Sequence, residues 1–417
     1  MDGKLHFFTS AAVNYLPKVR TLCRSLRRHH PEAVIHLALA DERPEWLDLK
    51  DEPFDSVLDV SQLGIDDWHR WAFTHNIVEL STAIKPFAMK HLMSLPGCET
   101  VLYFDPDIVV FSRVDDILAT LRTSNIALTP HQNKPEQTLE AVIDNEIGSL
   151  RWGIFNLGFI GVANTAESRR FAQWWSERTY HFCRAEVESG LFTDQKWINH
   201  VPVFFDGVSI VKSSRHNVAT WNLTTRVMTG DLDTGLLVDS EPLGFYHFTG
   251  FDSGAHRIMA VKNAGDNSAV RRLIAWYERE TAADKDDPVT RTPWAFGRFS
   301  NGEPIRDVHR WIYRTRIDLR EVFPDPFDAS PGKLTLYSWC ETSGRALYPE
   351  RFSSGMTPRP GEPAMRAGVS FTTAMRLFAL FLSPTSGRSL RARVARVLRS
   401  EGLGGVARRL RGYRGAP

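Results

Sequence analysis

The sequence predicts an α/β protein built on a doubly wound sheet, and three observations carry that expectation. Through the first third of the chain, short apolar runs alternate with longer amphipathic ones, the pattern of strands interleaved with helices. Val101, Leu102, Tyr103 and Phe104 form a run that is apolar at every position, which suits a strand covered on both faces. That run passes at once into Asp105-Pro106-Asp107, polar residues at the end of a buried strand, where ligands of open α/β sheets collect.

The elements follow in order. Residues 5–8 and 34–40 read as strands, with an amphipathic helix over 16–28 between them. A helical stretch at 85–95 leads into the strand 101–104. Residues 114–121 read as a further helix and 126–129 as a further strand. The apolar run 155–162 is interrupted by Gly158 and Gly161, and glycine within a strand marks a close approach of backbone or ligand. Residues 171–184 read as a helix carrying Trp174 and Trp175, another helix begins at 193–200, and 244–248 returns to strand before Thr249-Gly250. The acidic stretch 282–287, closed by Pro288, marks a boundary. Beyond it the chain is rich in Trp, Tyr, Arg and Pro, as expected of short helices and loops packed on the main domain. The expected division is a main domain over 1–280, a helical accessory segment over 281–365 and a basic amphipathic helical tail over 366–417. No internal repeat is evident.

Composition narrows the function classes. The 417 residues are 42 % hydrophobic and 24 % charged, within the range of ordinary globular proteins, which excludes disordered, collagen-like and disulfide-scaffold classes. A formal net charge of +2 disfavours a uniformly basic nucleic-acid binder. The average conceals an asymmetry: residues 386–417 hold nine arginines and one acid, a local charge of +8, which leaves −6 on the rest. Four cysteines (Cys23, Cys98, Cys183, Cys340) lack any C-x-x-C spacing, so neither a zinc site nor a disulfide framework is expected and a reducing compartment is the simpler reading. The N-terminal residues lack the pattern of a cleaved secretion signal, and no run reaches the roughly 20 apolar residues that span a bilayer.

The chemistry centres on Asp105-Pro106-Asp107. Two carboxylates one residue apart after a buried strand can turn towards one hard cation and leave positions for water and phosphate oxygens. The succession Thr9-Ser10, Asn14-Tyr15, Lys85, Asp105-Pro106-Asp107, Asn156-Leu157-Gly158, Asp194-Gln195 with Asn199, and His247-Phe248-Thr249-Gly250 resembles the metal-dependent GT-A glycosyltransferases. It is most similar to their retaining branch, which includes glycogenin and the bacterial lipopolysaccharide galactosyltransferases. The resemblance runs from Leu5 to Gly250.

The resemblance implies a GT-A-type doubly wound mixed sheet with a Rossmann-like nucleotide-binding half and a helical C-terminal extension. It implies transfer of a sugar from a UDP- or GDP-sugar donor to a glycan or lipid-linked acceptor, dependent on Mn2+ or Mg2+, with retention, in surface polysaccharide or lipopolysaccharide assembly. Thr9, Ser10, Tyr15 and Asp41 would receive the nucleotide, with Tyr15 stacking on the base. Lys85, Asn156, Gly158 and Gly250 would line the donor, and Asp105 would serve donor and metal together. Asp105, Asp107 and His247 would hold the metal, an oxygen-rich site with one imidazole that suits Mn2+ or Mg2+ better than zinc. Asp194 and Gln195 would be catalytic, Asp194 on donor hydroxyls and Gln195 beside the anomeric carbon.

Departures from the family pattern are visible. Relatives often continue the histidine motif as H-x-x-G-x-x-K, and Ser253 stands at the lysine position, with His256 or Arg257 as nearby substitutes. The third acid of their D-Q-D motif is Lys196 here, which leaves room for an inverting reaction with Asp194 as base.

Two other classes compete. Asp105-Pro106-Asp107-Ile108-Val109-Val110 fits the nucleophile motif of haloacid-dehalogenase-like phosphatases, with Asp105 as nucleophile, although Gly230-Asp231-Leu232-Asp233 does not meet that family's acidic spacing. A non-catalytic glycan-binding protein on a decayed transferase fold would use some of the twelve tryptophans, among them Trp68, Trp71, Trp152, Trp174, Trp175 and Trp197, to stack on sugars.

In the tail, the apolar patch 374–382 and the spacing of Leu390, Val394, Val397, Leu398, Leu403, Val406 and Leu410 among arginines read as basic amphipathic helices. The expectation is peripheral attachment to an anionic membrane surface, on the inner face of the cytoplasmic membrane, with a cytoplasmic body. Specific nucleic-acid binding is not expected, and oligomer formation is a competing use of the tail.

Overall fold

Side-chain alternation sets the architecture. In the computed structural model, which describes residues 4–282, 284 and 286–353, Phe7, Leu102 and Phe104 point into one apolar layer while Phe8, Val101 and Tyr103 point into the other. A strand buried on both faces has to lie inside a sheet with helices on each side. Twelve strands are found among the described residues: β1 (Leu5–Ala11), β2 (Val34–Leu39), β3 (Ser56–Asp59), β4 (Thr100–Phe104), β5 (Ile108–Val110), β6 (Ile126–Pro130), β7 (Phe155–Ala163), β8 (Val208–Ile210), β9 (Met228–Asp231), β10 (Gly235–Val238), β11 (Glu241–Pro242) and β12 (Phe245–His247).

Seven of them form the central sheet in the order β3-β2-β1-β4-β7-β6-β8. The half from β3 to β4 is parallel, as the strand and helix alternation predicts. β7 then runs antiparallel to both β4 and β6, which makes the sheet mixed, as expected for a GT-A-type architecture. This reversal matters for the site. Because Phe104 pairs with Phe159, the beginning of β7 lies beside the end of β4, and the Asp105 amide donates to the Gly158 carbonyl at 2.7 Å.

The helices Leu16–His29 and Asp115–Leu121 cover the Phe7 face. The helices Lys85–Met93 and Ala166–Phe182 cover the Phe8 face. A third apolar cluster, with Val109, Tyr246, Phe248 and Tyr277, joins the hairpin of β9 and β10 to the helices Ala255–Ala264 and Ser268–Ala282. β12 pairs antiparallel with β5, setting His247 opposite Ile108.

The helix Ser268–Ala282 ends where the acidic stretch 282–287 begins. Residues 286–353 then form short helices with a cluster of their own, centred on Ile312, Tyr313 and Leu336 and including Phe73. Several polar ties fasten this segment to the sheet domain. Trp294 Nε1 donates to the Ala40 carbonyl at 2.9 Å, Arg310 donates to the Phe73 carbonyl at 2.8 Å, and Arg314 pairs with Glu79. The tail over 366–417, like residues 354–365, lies outside the described residues. Among the described residues no helix is long and apolar enough to cross a membrane.

Several elements differ from expectation. β1 continues through Ala11, because its register with β2 extends to Ala11 opposite Leu39, so Thr9 and Ser10 lie in a strand and not in the loop after it. Residues 195–200 form a 3-10 helix in place of the expected longer helix. β3, β5 and the hairpin strands were not separable from loops by hydropathy alone, being two to four residues long.

Candidate active site

The site forms where β4 and β7 meet end to start and β12 closes across β5. From these elements come Asp105 and Asp107 after β4, Asn156 and Gly158 in β7, and His247 in β12. One ligand atom each from Asp105, Asp107 and His247 falls within a span of 4.8 Å. His247 Nε2 is 3.1 Å from Asp107 Oδ1 and 3.8 Å from Asp105 Oδ2.

The hydrogen bonds behind His247 determine which way it faces. The Leu157 amide donates to Gln195 Oε1 at 2.9 Å, so that oxygen is an acceptor. Asn156 Nδ2 is therefore the group that donates to it, at 3.3 Å, and Asn156 Oδ1 is left facing His247 Nδ1 at 3.1 Å. Nδ1 must donate there, which leaves Nε2 as the ring nitrogen that faces the two carboxylates. Gly158 supplies the room: a Cβ at that position would lie 2.5 Å from the His247 ring. The edge of Trp221 packs on the same ring at 5.5 Å between centroids.

On the other side sits Lys85, almost wholly buried. Its Nζ is 3.1 Å from Asp105 Oδ1 and 3.3 Å from Asp194 Oδ2, and it donates to the Leu157 carbonyl at 3.2 Å. The side chains of Lys85 and Asp194 are 2 % and 1 % exposed, against 25 % for Asp105, so the ion pair anchors one wall while Asp105 faces outward. Tyr103 donates its hydroxyl to Asp105 Oδ1 at 2.5 Å and lies 3.0 Å from Ser10 Oγ, which in turn bonds the Ser81 carbonyl. Ser10 thus stands behind Asp105 and is not at the surface.

Burial alone would lower the Lys85 pKa, but the Asp105 and Asp194 charges outweigh it and hold the ammonium above its usual range. Burial pushes the Asp194 carboxyl up, against the pull of Lys85. Burial opposes charge on both members of the other pair as well, and their mutual attraction wins: Asp107 lies below and His247 above the ordinary value.

The remaining expected residues are more dispersed. Asp41, also buried, accepts from the amides of Val13 at 3.1 Å, Glu42 at 3.0 Å and Ala295 at 2.9 Å. Burial nonetheless raises its carboxyl to about 6. It shapes the turn before Tyr15. Thr9 is buried in β1. Tyr15 is half-buried, and its hydroxyl donates to Asp252 at 3.1 Å. Gly250, exposed with φ +69°, begins the turn in which its carbonyl accepts from Ser253 Oγ at 3.0 Å and the His256 amide at 3.2 Å. Gln195 Oε1 accepts from Asn156 and Leu157, and its Nε2 donates one hydrogen to the Trp152 carbonyl at 3.1 Å. Asn199 accepts from the Ile154 amide at 2.9 Å.

Neither residue expected to replace the missing lysine is free to act as a cation over the site. His256 Nδ1 faces the Thr249 carbonyl at 3.0 Å in a buried position, where its pKa falls to about 4, and Arg257 pairs with Glu278. The cation that sequence reasoning missed is Lys18, on the first turn of the helix Leu16–His29. Its charge helps depress Asp107. Of the acids of Gly230-Asp231-Leu232-Asp233, Asp231 ends β9 and Asp233 lies in the turn to β10, where Asp231 accepts from the amides of Asp233 and Thr234. Of the tryptophans, Trp71 and Trp175 are core residues, while Trp152 is exposed against Phe192.

Two carboxylates and an imidazole at the end of a parallel half-sheet give an α/β protein with a polar site whose donor set could hold a cation. Compared with curated proteins, the chain is 30 % identical over 251 residues to the uncharacterized protein YfnD of Bacillus subtilis (strain 168), covering 59 % of this chain and 78 % of YfnD, and it belongs to the same family as YfnD. It is 25 % identical over 186 residues to the uncharacterized protein YfnF of the same strain, a match over 43 % of this chain and 58 % of YfnF. No protein-family profile matches the chain. Similar solved structures include the galactosyltransferase LgtC in complex with donor and acceptor sugar analogues, at 17 % identity and a TM-score of 0.42, over 67 % of this chain and 95 % of LgtC. They also include the glycosyltransferase GlyE of Streptococcus pneumoniae TIGR4, at 17 % identity and a TM-score of 0.38, over 67 % of this chain and 64 % of GlyE. At these scores the likeness assigns no residue role.

Proposed function

We propose that the protein is a metal-dependent glycosyltransferase that uses a nucleoside-diphosphate sugar, a UDP- or GDP-sugar, and a glycan or lipid-linked acceptor in surface polysaccharide assembly. The observation that carries this reading is the convergence of Asp105, Asp107 and His247 with Lys85, Asp194 and Asn156 at one strand end, in the order in which the motifs resemble the GT-A enzymes.

The donor set fits a hard divalent cation such as Mn2+ or Mg2+: two carboxylates, and one imidazole whose tautomer is fixed by Asn156. Bound there, the cation would neutralise the charge developing on a diphosphate leaving group. The chain's own residues do the rest. Lys85 holds Asp105 in place and cancels part of the negative charge of Asp105 and Asp194. Asp194 and Gln195 face the donor sugar, Asp194 with its hydroxyls and Gln195 near the anomeric carbon, while Gln195 also keeps Asn156 oriented. Tyr15 offers an aromatic face to the base. Retention is the reading we adopt, because a carboxylate as buried and ion-paired as Asp194 is poorly disposed to take a proton from an incoming acceptor.

The +8 charge of residues 386–417 supports peripheral attachment of a cytoplasmic enzyme to an anionic membrane. Liposome co-sedimentation of the full chain and of a chain lacking 371–417 tests this: only the full chain should pellet with anionic vesicles.

The activity test is incubation of the purified protein with a panel of UDP- and GDP-sugars and Mn2+, followed by measurement of free UDP or GDP. Release with at least one donor, abolished by EDTA, is the expected result. Absence of release with every donor, in the presence and absence of glycan acceptors, overturns the reading.

A further inference from the structure

Lys18 and Tyr15 form a pair of donors aimed at one anion. Lys18 Nζ lies 2.5 Å from Asp252 Oδ2, and the Tyr15 hydroxyl donates to the same oxygen at 3.1 Å. Lys18 also donates to the Tyr15 hydroxyl at 2.8 Å and lies over the Tyr15 ring, 4.3 Å from its centroid. The two ends of the ion pair differ sharply in setting: the Lys18 side chain is 9 % exposed and that of Asp252 is 63 % exposed.

A buried ammonium needs an anionic partner, whereas an exposed carboxylate loses little on returning to water. Asp252 sits on an exposed turn between Gly250 and Gly254, both at positive φ. The Asp252 turn is tied to the proposed cation site through the backbone: the Phe248 amide donates to the Asp107 carbonyl at 2.8 Å and the Phe251 amide to the Phe248 carbonyl at 3.2 Å. Lys18 Nζ lies 5.8 Å from the Phe251 ring centroid, so the donor pair borders that site. Among the described residues the neighbouring charges are accounted for: Lys85 is held by Asp105 and Asp194, and Arg257 by Glu278.

We infer that Lys18 and Tyr15 form an oxyanion site for the diphosphate of the ligand and that Asp252 occupies it as an internal competitor, leaving when the phosphate oxygen arrives. The inference rests on the reading of the protein as an enzyme that binds a nucleoside diphosphate. It goes further in naming the donors of the anion site and the carboxylate that must be displaced. Exchange of one oxyanion for another keeps the charge on Lys18 compensated throughout, so the ammonium is never left bare in its buried position.

Inorganic pyrophosphate with Mg2+ is the probe, titrated calorimetrically into the full-length protein, because it reports the anion site without a base or a sugar. Asp252→Asn should bind it about threefold tighter than wild type, since removal of an exposed ionic competitor is a modest gain. Lys18→Gln should bind it about tenfold more weakly, through loss of a charge-assisted contact. A tightening cannot arise from poor folding, so the Asp252 variant guards against the case in which Lys18→Gln is misfolded. Equal or weaker binding by Asp252→Asn, wild-type affinity in a folded Lys18→Gln, or no pyrophosphate binding by the wild type each overturns the inference. If the pyrophosphate series behaves as expected but no nucleotide sugar is turned over, the anion site stands and the transferase reading fails.

Discussion

Two lysines border the proposed site, and they are built for opposite purposes. Lys85 is sealed between Asp105 and Asp194, with the Leu157 carbonyl as a third partner, and the Lys85–Asp194 contact joins two buried side chains. Lys18 has one carboxylate partner, and that partner is in solvent. An interior ion pair holds geometry at the risk of leaving a bare charge when broken, while a pair with one exposed member can exchange partners. Lys85 therefore belongs to the framework that aims Asp105, and Lys18 to the part of the site that responds to a ligand.

The largest expected effect tests the framework. Lys85→Met leaves Asp194 buried without its counter-ion and Asp105 without support, and should destabilise the protein by about 4 kcal/mol in urea unfolding. A loss below about 1 kcal/mol would place Lys85 in the same class as Lys18.

The next test concerns the turn that carries Tyr15. Asp41 ties Val13 to Ala295 of the C-terminal segment, and burial raises its carboxyl from 3.8 to about 6. Below pH 3.8 the folded and unfolded forms both hold the proton. Between pH 4 and 6 the folded form holds it more firmly, so this group's contribution to stability is lost as the pH rises through about 6. The component amounts to about 3 kcal/mol. Asp41→Asn should abolish it, and an unchanged slope of unfolding free energy against pH would show that Asp41 titrates normally.

Gly158→Ala separates packing from charge. A Cβ 2.5 Å from the His247 ring must displace that ring from the two carboxylates, so Mn2+ affinity should fall about tenfold, read by electron paramagnetic resonance of free Mn2+. Unaltered affinity would remove His247 from the cation site. The smallest effect belongs to the exposed partner: Asp252→Asn should change folding stability by less than about 1 kcal/mol in the same urea experiment.

The legibility of these features in the sequence follows their range along the chain. Asp105 and Asp107 were visible because the buried strand and the acids that end it are contiguous. The parallel half of the sheet was partly visible for the same reason, since β1 is followed by its own amphipathic helix and β4 is preceded by the helices that return the chain to the sheet, whereas β2 leads to β3 without a helix. His247 was reached only through the family resemblance, since its place beside Asp107 depends on pairing of β12 with β5, two three-residue strands far apart in sequence. The reversal of β7, which brings Asn156 to Asp105, leaves no mark on hydropathy. Lys18 looked like one more basic residue of an amphipathic helix, and nothing local couples it to Asp252. Ser10 lies beyond the strand read over 5–8, and its burial in β1 depends on Tyr103 and Ser81, partners that are distant in sequence.

The central claim is that Asp105, Asp107 and His247 act together as a cation site. Equilibrium dialysis of Mn2+ against the wild-type protein and Asp107→Ala tests it most directly. The account predicts saturable binding of a single Mn2+ to the wild type and a loss of affinity of about a hundredfold in the variant, with the fold intact by circular dichroism. Equal Mn2+ binding by the two proteins would contradict it.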